Sequence, residues 1–529
     1  MPDQPDDIAG LERRPAGLGQ ELSGAGDIGR WPPFTAWLVA LVGLGFVVNA
    51  VADRHLYADS FYDLYAGRYI LRHGIPQRNV VTVAAHGAPW IDQQWLAQVI
   101  YYAAWAAGGY AALAVLSAML VTSGFAVLAL LMLRRGVPPT RMFAWTTAAV
   151  IACVGNTVIR AQSFAFPLFA VTLWLILADS GAPRLRARTW LVVPVLVIWA
   201  NTHGSVLLGA GLVALYAGYR AATALLRRDR RPVPAYLALG AVAAASVVCT
   251  PYGIGVVRFY QRIDSVTPAL TRYDTEWGRP TLPNPFSWAF FALTAGTAIA
   301  VAVAWRRGAR PDPLLAAAAL VLLGLALTAI RNQVWFAFGG SLLAADTLAR
   351  SGGGSGSGGG SGSGGGGRVP VLSKVSGWPV AGVLAAAALV GLGVLATTPD
   401  RQFEDQVPLR AIDTAADLAA RNPAARVLGD DGCGPAILWL RPAMFGRVGF
   451  DARLEQYSVA QIDAYAEFLD VSGRAWQRVT HGYDILVVSR RLHPRLASVL
   501  ARLPGWRVVY SDRSGIVVER RSPEANLAR

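Results

Sequence analysis

The chain has 529 residues, of which 54% are hydrophobic and only 15% are charged. Soluble domains carry roughly 25% charged residues, and several apolar runs here reach the roughly 20 residues that span a bilayer, which excludes an ordinary soluble protein. The net charge of +15 lies in short clusters between apolar runs, without a basic stripe interleaved with aromatic residues, which argues against nucleic acid as a partner.

The hydropathy pattern predicts a polytopic α-helical membrane protein with about eleven spans. A polar N-terminal tail (1–33) precedes them. The spans are predicted at 34–52, 111–133, 142–159, 163–178, 190–202, 204–226, 235–250, 286–305, 314–330, 333–349 and 379–396. Residues 351–378 contain a Gly/Ser linker.

The positive-inside rule gives the orientation. With the N-terminus in the cytoplasm, every basic cluster falls on the cytoplasmic side: Arg134-Arg135, 183–188, 227–231 and 306–310. The first long loop (53–110), a second loop (251–285) and the C-terminal region (397–529) then lie outside. The C-terminal region alternates helical and strand patterns and predicts a small α/β domain, with "DRSG" as a hairpin turn.

The stretch 59–76 of the first loop predicts a helix in the outer membrane interface. Tyr62, Tyr65 and Tyr69 form an aromatic stripe suited to headgroup depth, and Asp59 and Asp63 share another face. Such carboxylates can act as a general base or hold a divalent cation on a phosphate. A solvated acidic face explains the same spacing.

Polar residues also gather in the external turns. Arg160 and Arg331 end predicted helices, where an arginine fork suits a phosphate or snorkels to water. In "WANTHGS", His203 could bind or protonate a phosphate with Asn201 orienting it, or both could be a satisfied polar turn. Glu276 is a candidate ligand for an acceptor or a metal, or a surface acid.

A resemblance covers nearly the whole chain. The segment from Asp59 through "GRYILRHGIPQRNVVT" to "GAPWIDQQWLAQVIYY" resembles the first external loop of a group of bacterial GT-C class membrane glycosyltransferases. "WANTHGS", "TPYG", "EW", "RN", "GDDGCGPAILWL" and "VGFDARLEQYS" resemble later motifs of that group in the same order. The chain departs from the pattern by keeping only the second acid of the usual D-x-D, and by having Asp63, Gln94 and Thr250 where histidine, an acid and asparagine are usual.

The resemblance implies a GT-C transmembrane domain at 34–350 in the bacterial inner membrane. It implies transfer of a sugar from a polyprenyl-phosphate donor to a glycan, lipid or protein acceptor outside the cytoplasm, by an inverting displacement. It makes Asp59 the catalytic base, with Asp63 as a supporting acid. The residues expected to bind the donor phosphate or substrate are Arg160, Gln162, Asn201, His203, Glu276, Arg331 and Asn332. No cofactor is certain; Mg²⁺ or Mn²⁺ stays open.

Two other functions fit the pattern. A flippase or transporter for a lipid-linked sugar predicts internal repeats and charges near mid-membrane, whereas the charges here cluster at one face. A non-catalytic envelope scaffold is consistent with the missing acids, since a fold does not fix a function.

Overall fold

The computed structural model describes residues 33–178, 182, 184–273, 275–352, 377–473 and 476–521. The predicted tail (1–33) and Gly/Ser linker (351–378) lie almost entirely outside these residues. The α-helices in the described part are α1 Pro33–Ala52, α2 Ala58–His73, α3 Trp95–Arg134, α4 Pro139–Cys153, α5 Ala165–Ala178, α6 Val192–Thr202, α7 Val206–Leu226, α8 Val233–Ser246, α9 Val256–Tyr273, α10 Trp288–Arg306, α11 Pro313–Ala326, α12 Gln333–Gly352, α13 Trp378–Thr397, α14 Asp400–Phe403, α15 Leu409–Arg421, α16 Cys433–Leu440, α17 Val459–Asp470 and α18 Pro494–Leu500.

Each predicted span coincides with one of these helices, and the chain is a multi-pass membrane protein. Six helical stretches among the described residues are long and apolar enough to cross a bilayer. They are Phe34–Val51, Trp95–Arg134, Ala161–Ala178, Val206–Leu226, Pro285–Arg306 and Trp378–Thr397. The apolar helices Ala187–Thr202, Val233–Ser246 and Pro313–Ala326 are shorter.

Two helices lie where the sequence predicts loop. α3 begins at Trp95, well inside the predicted first loop, because its 40 residues are two helices joined at a break. At the break Gly109 has a φ of 65°, a left-handed conformation that glycine adopts without a steric penalty. α9 lies inside the predicted loop 251–285 and buries Phe259, Val266 and Leu270.

The C-terminal region folds as the predicted α/β arrangement. Its strands are β1 Val427–Gly429, β2 Ile485–Ser489, β3 Trp506–Ser511 and β4 Gly515–Arg520. The strand order is β1-β2-β4-β3, with β1 parallel to β2 and the other pairs antiparallel. At the predicted "DRSG" turn, the backbone N–H groups of Ser514 and Gly515 both donate to Asp512 Oδ1 at 2.8 Å, which closes the β3–β4 hairpin.

The first loop is attached to this domain through the backbone. Thr82 bridges Val448, which in turn bridges Val427 of β1, so the loop extends the domain's sheet pairing. The N–H of Val83 donates to the carbonyl of Val448 at 2.7 Å, and that of Gly446 donates to Val81 at 2.7 Å. The first loop and the C-terminal domain are therefore joined by a continuous set of backbone contacts.

The aromatic stripe of α2 packs against protein instead of facing lipid headgroups, and its depth in the membrane stays a prediction. Tyr62 and Tyr65 are buried, and the Tyr65 hydroxyl donates to Asp451 Oδ2 at 2.5 Å. The Tyr69 ring lies 6.2 Å from that of Phe445. A helical stripe of tyrosines fits a lipid headgroup and a protein surface equally well, so spacing alone does not separate the two.

On another face, α2 lies directly against α3. A Cβ at Gly67 would meet the carbonyl oxygen of Gln98 at 2.1 Å, so only glycine permits this approach. The close contact fixes the position of the α2 N-terminus, which carries Asp59.

Candidate active site

A cavity of about 1130 Å³ lies between the membrane helices and the C-terminal domain. Its walls come from α2, the segment before α3, the starts of α7 and α12, α9, α11 and the C-terminal domain. Of the nine predicted site residues it is lined by Asp59, Asp63, Arg160, Gln162, His203, Glu276, Arg331 and Asn332. Asn201 is not among the residues that line it.

Asp59, Arg160 and Glu276 form a charged cluster in this cavity. Arg160 Nη1 lies 2.7 Å from Glu276 Oε2 and 3.8 Å from Asp59 Oδ2. Arg160 Nη2 donates to Asn156 Oδ1 at 3.3 Å. The guanidinium is buried and held from two sides, whereas the Asp59 side chain is 49% exposed to the cavity. Asp59 is therefore the more accessible carboxylate of the pair that faces Arg160.

The electrostatics of the cluster separate its two acids. Although the Asp59 side chain opens to the cavity, the cavity lies deep in the protein, and this desolvation raises the pKa of its carboxyl; the charge of Glu276 adds to the rise, against Arg160 and Arg331. Burial also acts to raise the pKa of Glu276, but Arg160 and Arg331 outweigh it, so the pKa of Glu276 is lowered. Two acids with pKa values pushed apart are typical of a site in which one carboxylate exchanges a proton and the other stays charged.

Asp63 is buried and has backbone and side-chain partners. Its Oδ2 accepts the backbone N–H of Ala161 at 2.7 Å, and its Oδ1 accepts from Gln94 Nε2 at 3.4 Å. Burial and the neighbouring Asp59 raise the pKa of the Asp63 carboxyl well above its usual range. Because Ala161 follows Arg160, Asp63 fixes the turn that presents this arginine.

His203 faces the cavity with one nitrogen already engaged. The Trp199 indole N–H donates to Ser205 Oγ at 3.1 Å, and both the hydroxyl and the N–H of Ser205 contact His203 Nδ1, at 2.7 and 3.2 Å. Nδ1 is therefore an acceptor, which assigns the proton to Nε2. Burial, with Arg331 and Arg160 nearby, lowers the pKa of His203 to about 3, so the ring is a neutral donor.

Asn201 makes a different set of contacts from the one predicted, in which it orients His203. Its Oδ1 accepts from Trp95 Nε1 at 2.8 Å, and its Nδ2 donates to the carbonyls of Val197 and Cys249, each at 2.8 Å. These bonds join α6 to α3 and to the chain after α8. Ser205 is the residue that orients His203, which the sequence pattern does not reveal.

The turn after α11 brings a second arginine to the cavity. The Arg331 guanidinium lies 4.3 Å from the centre of the Trp277 ring. Asn332 Nδ2 donates to the carbonyl of Leu325 at 3.3 Å, which anchors the turn to the end of α11. Gln162, beside Arg160, is buried and lines the same wall.

Side chains of α7 and α11 form an apolar groove in the same cavity as Arg331. It is lined by partly or fully exposed side chains, among them Leu207, Leu208, Leu215, Val321 and Leu325. The cavity therefore combines a cationic end with a surface suited to a hydrocarbon chain.

The opposite wall contains residues that the sequence analysis does not single out. Asp451 and Arg453 form an ion pair of 2.5 Å with both side chains fully buried, and the Arg453 guanidinium lies 4.0 Å from the centre of the Trp90 ring. Asp92 and Glu455 lie beside them and line the cavity. In the sequence these residues lie in two of the quoted motifs, "GAPWIDQQWLAQVIYY" and "VGFDARLEQYS", and neither motif gave them a role.

The carboxylates nearest Arg160 pair with that arginine. In the part of the chain that the structure describes, no group of three or more His, Cys, Asp or Glu side chains could hold a metal ion. Asp59 and Glu276 instead share Arg160 as their counter-charge.

The overall fold is similar to that of two solved structures. ArnT from Cupriavidus metallidurans, solved bound to undecaprenyl phosphate, matches with a TM-score of 0.51 and 13% identity over 92% of this chain and 99% of that one. The archaeal oligosaccharyltransferase AglB from Archaeoglobus fulgidus, in complex with an inhibitory peptide and a dolichol-phosphate, matches with a TM-score of 0.51 and 12% identity over 92% of this chain and 74% of that one. No family model and no curated sequence matches the chain.

Proposed function

We propose that this chain is a membrane glycosyltransferase that moves a sugar from a polyprenyl-phosphate carrier to an acceptor hydroxyl. The observation that carries the proposal is the cavity in which Asp59 faces Arg160, with Arg331 and an apolar groove also lining it. Two solved structures that share the fold hold undecaprenyl phosphate and a dolichol-phosphate, lipids whose chain and headgroup match this division.

In the proposed reaction the Asp59 carboxylate takes the proton of the acceptor hydroxyl as the acceptor oxygen bonds to the anomeric carbon. The bond from that carbon to the phosphate oxygen breaks, and the polyprenyl phosphate leaves with the electron pair. A single displacement inverts the configuration at the anomeric carbon. The raised pKa of Asp59 favours this role, because a base accepts a proton best when its pKa approaches the working pH.

The leaving phosphate would be stabilised by Arg160, Arg331 and the Nε2–H of His203. A neutral His203 suits this role, because it donates a hydrogen bond without a charge that would repel the two arginines. Glu276 and Asn156 hold the Arg160 guanidinium in place.

We place the protein in the bacterial inner membrane with its N-terminus in the cytoplasm. The transmembrane domain is residues 34–350 with a last span at 379–396, and 397–529 is an extracytoplasmic domain. The external turns that carry Arg160, His203 and Arg331 all meet at one cavity with that domain, which supports a common side for them. The acceptor is then an extracytoplasmic glycan, lipid or protein.

The proposal is tested by transfer assays in proteoliposomes with a panel of polyprenyl-phosphate sugars. Asp59→Asn should abolish transfer while the Tm stays unchanged. Asp264→Asn is the matched control, since Asp264 is exposed on α9 and does not line the cavity. Equal turnover of parent and Asp59→Asn would refute the role of this base.

The same assay separates the rival functions. Carrier binding without turnover across the panel, with and without Mg²⁺ or Mn²⁺, would favour the scaffold. Movement of the carrier across the bilayer without sugar transfer would favour a flippase. Either result would refute the transferase.

A further inference from the structure

We infer that Asp92 of the first loop and Arg453 and Glu455 of the C-terminal domain form a subsite that binds the hydroxyl groups of a saccharide. This domain-side subsite lies on the cavity wall that the first loop and the C-terminal domain share. The inference rests on the proposed function and assigns the C-terminal domain a direct part in substrate recognition.

Among the described residues, hydrogen-bond donors reach only one of the two oxygens of the Asp92 carboxylate. Its Oδ1 accepts from Gln98 Nε2 at 3.1 Å, from the Tyr62 hydroxyl at 3.3 Å and from the N–H of Gln94 at 3.4 Å. Its Oδ2 is buried and has no hydrogen-bond partner among the described residues. A buried acceptor without a donor costs roughly 1–3 kcal/mol, so a ligand hydroxyl that donates to Oδ2 would be stabilised.

Arg453 has the complementary unused group. Its Nε and Nη2 pair with Asp451, and Nη2 also donates to Asn79 Oδ1 at 3.3 Å. Its Nη1 is buried without a partner in the described chain. The Trp90 ring and the ion pair hold the guanidinium rigidly, so Nη1 is a fixed donor on the same wall as Asp92.

Glu455 is placed by contacts of its backbone. Its carbonyl accepts from Arg262 Nε at 3.1 Å, and Arg262 Nη2 donates to the carbonyl of Tyr457 at 2.9 Å. α9 thereby fixes this turn against the cavity, while the Glu455 side chain lines it.

The charge of the cavity is divided between its two ends. Arg160 and Arg331 lower the pKa values of Asp59 and His203. At the other end, Arg453 lowers those of Asp92 and Glu455, and Asp451 already neutralises this arginine. Burial raises the pKa of Asp92 to about 7 and that of Glu455 to about 7. Acidic side chains repel a phosphate, whereas carboxylate oxygens accept from hydroxyl groups and the Arg453 guanidinium donates to them, so this end suits a polyhydroxyl ligand, whose groups both donate and accept.

The saccharide at this subsite can be the donor sugar or an acceptor glycan, and the two are distinguished by experiment. The full-length protein in detergent is titrated with bare undecaprenyl phosphate and with undecaprenyl-phosphate hexoses and pentoses. The variants are Glu455→Gln and the more buried Asp92→Asn. Glu519→Gln is the control, because Glu519 belongs to an Arg507 ion pair on β4 that does not line the cavity.

A donor-sugar subsite predicts that the parent binds one sugar-bearing lipid about tenfold more tightly than the bare lipid. Both subsite variants should lose that difference and keep the affinity for bare lipid. An acceptor subsite predicts equal lipid binding by all variants, with a KM for the acceptor raised about tenfold in Glu455→Gln and an unchanged KM for the donor.

If both variants match Glu519→Gln in binding and in both KM values, the inference is wrong although the proposed function stands. If the parent does not bind even bare undecaprenyl phosphate, the proposed function is wrong, and this inference falls with it.

Discussion

The cavity contains two arginine–carboxylate clusters that have the same chemistry but different roles. Arg453 and Asp451 lie 2.5 Å apart with no exposed side-chain surface, and tyrosine hydroxyls occupy the remaining carboxylate positions. Arg160 lies between Asp59 and Glu276, and its Asp59 contact of 3.8 Å is long. The first cluster is nearly saturated by protein, whereas the second leaves a carboxylate open to the cavity.

The difference separates a structural ion pair from a reactive one. A buried charge is tolerated when a counter-charge pairs with it, and the Asp451–Arg453 pair also contacts Tyr65 and Asn79, so it joins the first loop to the C-terminal domain. An exposed carboxylate with a raised pKa and an imperfect partner is typical of a functional site. Arginine and aspartate alone therefore do not identify the site; the completeness of their contacts does.

The largest effect is expected from a variant that breaks the ion pair between Asp451 and Arg453. Asp451→Asn removes the charge that neutralises Arg453 and should reduce the free energy of unfolding by about 3–5 kcal/mol, because an unpaired buried charge remains. Thermal unfolding of the full-length protein measures this as a lower Tm. The control is Glu519→Gln, whose exposed pair should contribute less than about 1 kcal/mol. Equal Tm values for the two variants would contradict the structural role.

Arg331, which lines the same cavity as the Arg160 cluster, should affect lipid binding and leave the stability of the protein unchanged. Arg331→Ala removes one charge-assisted contact with the lipid phosphate, which is worth about 1.5–3 kcal/mol, or roughly 10- to 150-fold in Kd. Isothermal titration with undecaprenyl phosphate measures the loss. Arg310→Ala, on the opposite membrane side in the proposed topology, should leave Kd unchanged. A Kd for Arg331→Ala equal to that of the parent would remove Arg331 from the phosphate site.

A third variant tests whether Asn201 stabilises the fold and does not bind the lipid phosphate. Asn201→Ala leaves the Trp95 indole N–H without its acceptor and should lower stability by about 1–3 kcal/mol. The Kd for undecaprenyl phosphate should stay within about twofold of the parent value. His203→Ala should show the reverse pattern. A strong loss of affinity in Asn201→Ala at unchanged Tm would return this residue to the site.

The smallest expected effect is a shift in pH dependence. Transfer should rise with pH as Asp59 loses its proton, and the midpoint should lie above the ordinary range of aspartate because the pKa of Asp59 is raised. Glu276→Gln removes a negative charge that raises this pKa and frees Arg160 to lower it. The acidic limb of the pH–rate profile should therefore move to lower pH. A limb that moves upward or stays in place would contradict Asp59 as the titrating base.

The sequence predicted the helices well because apolar length is a local property. It also placed Arg160, His203 and Arg331 on one face, since alternating spans fix which turns share a side. It did not predict the α3 break, because it assigned Gly108 and Gly109 to the first loop, and only the backbone angles show that helix continues on both sides of this pair.

The second wall of the cavity could not be predicted. Asp92 and Glu455 are far apart in the chain, and each looks like an ordinary loop acid. Their proximity depends on the pairing of Thr82 with Val448, a contact that no periodicity encodes. Arg453 likewise reads as a surface arginine until Trp90 and Asp451 are seen around it.

The contact between Tyr65 and Asp451 spans 386 residues of chain. At about 5–20 residues per second, the ribosome reaches Asp451 roughly 20–80 seconds after Tyr65. Throughout that interval the first loop has left the synthesis machinery without the surface that buries its tyrosines. Biogenesis of this protein thus includes an interval in which its first loop must be kept from other partners until the C-terminal domain has been synthesised.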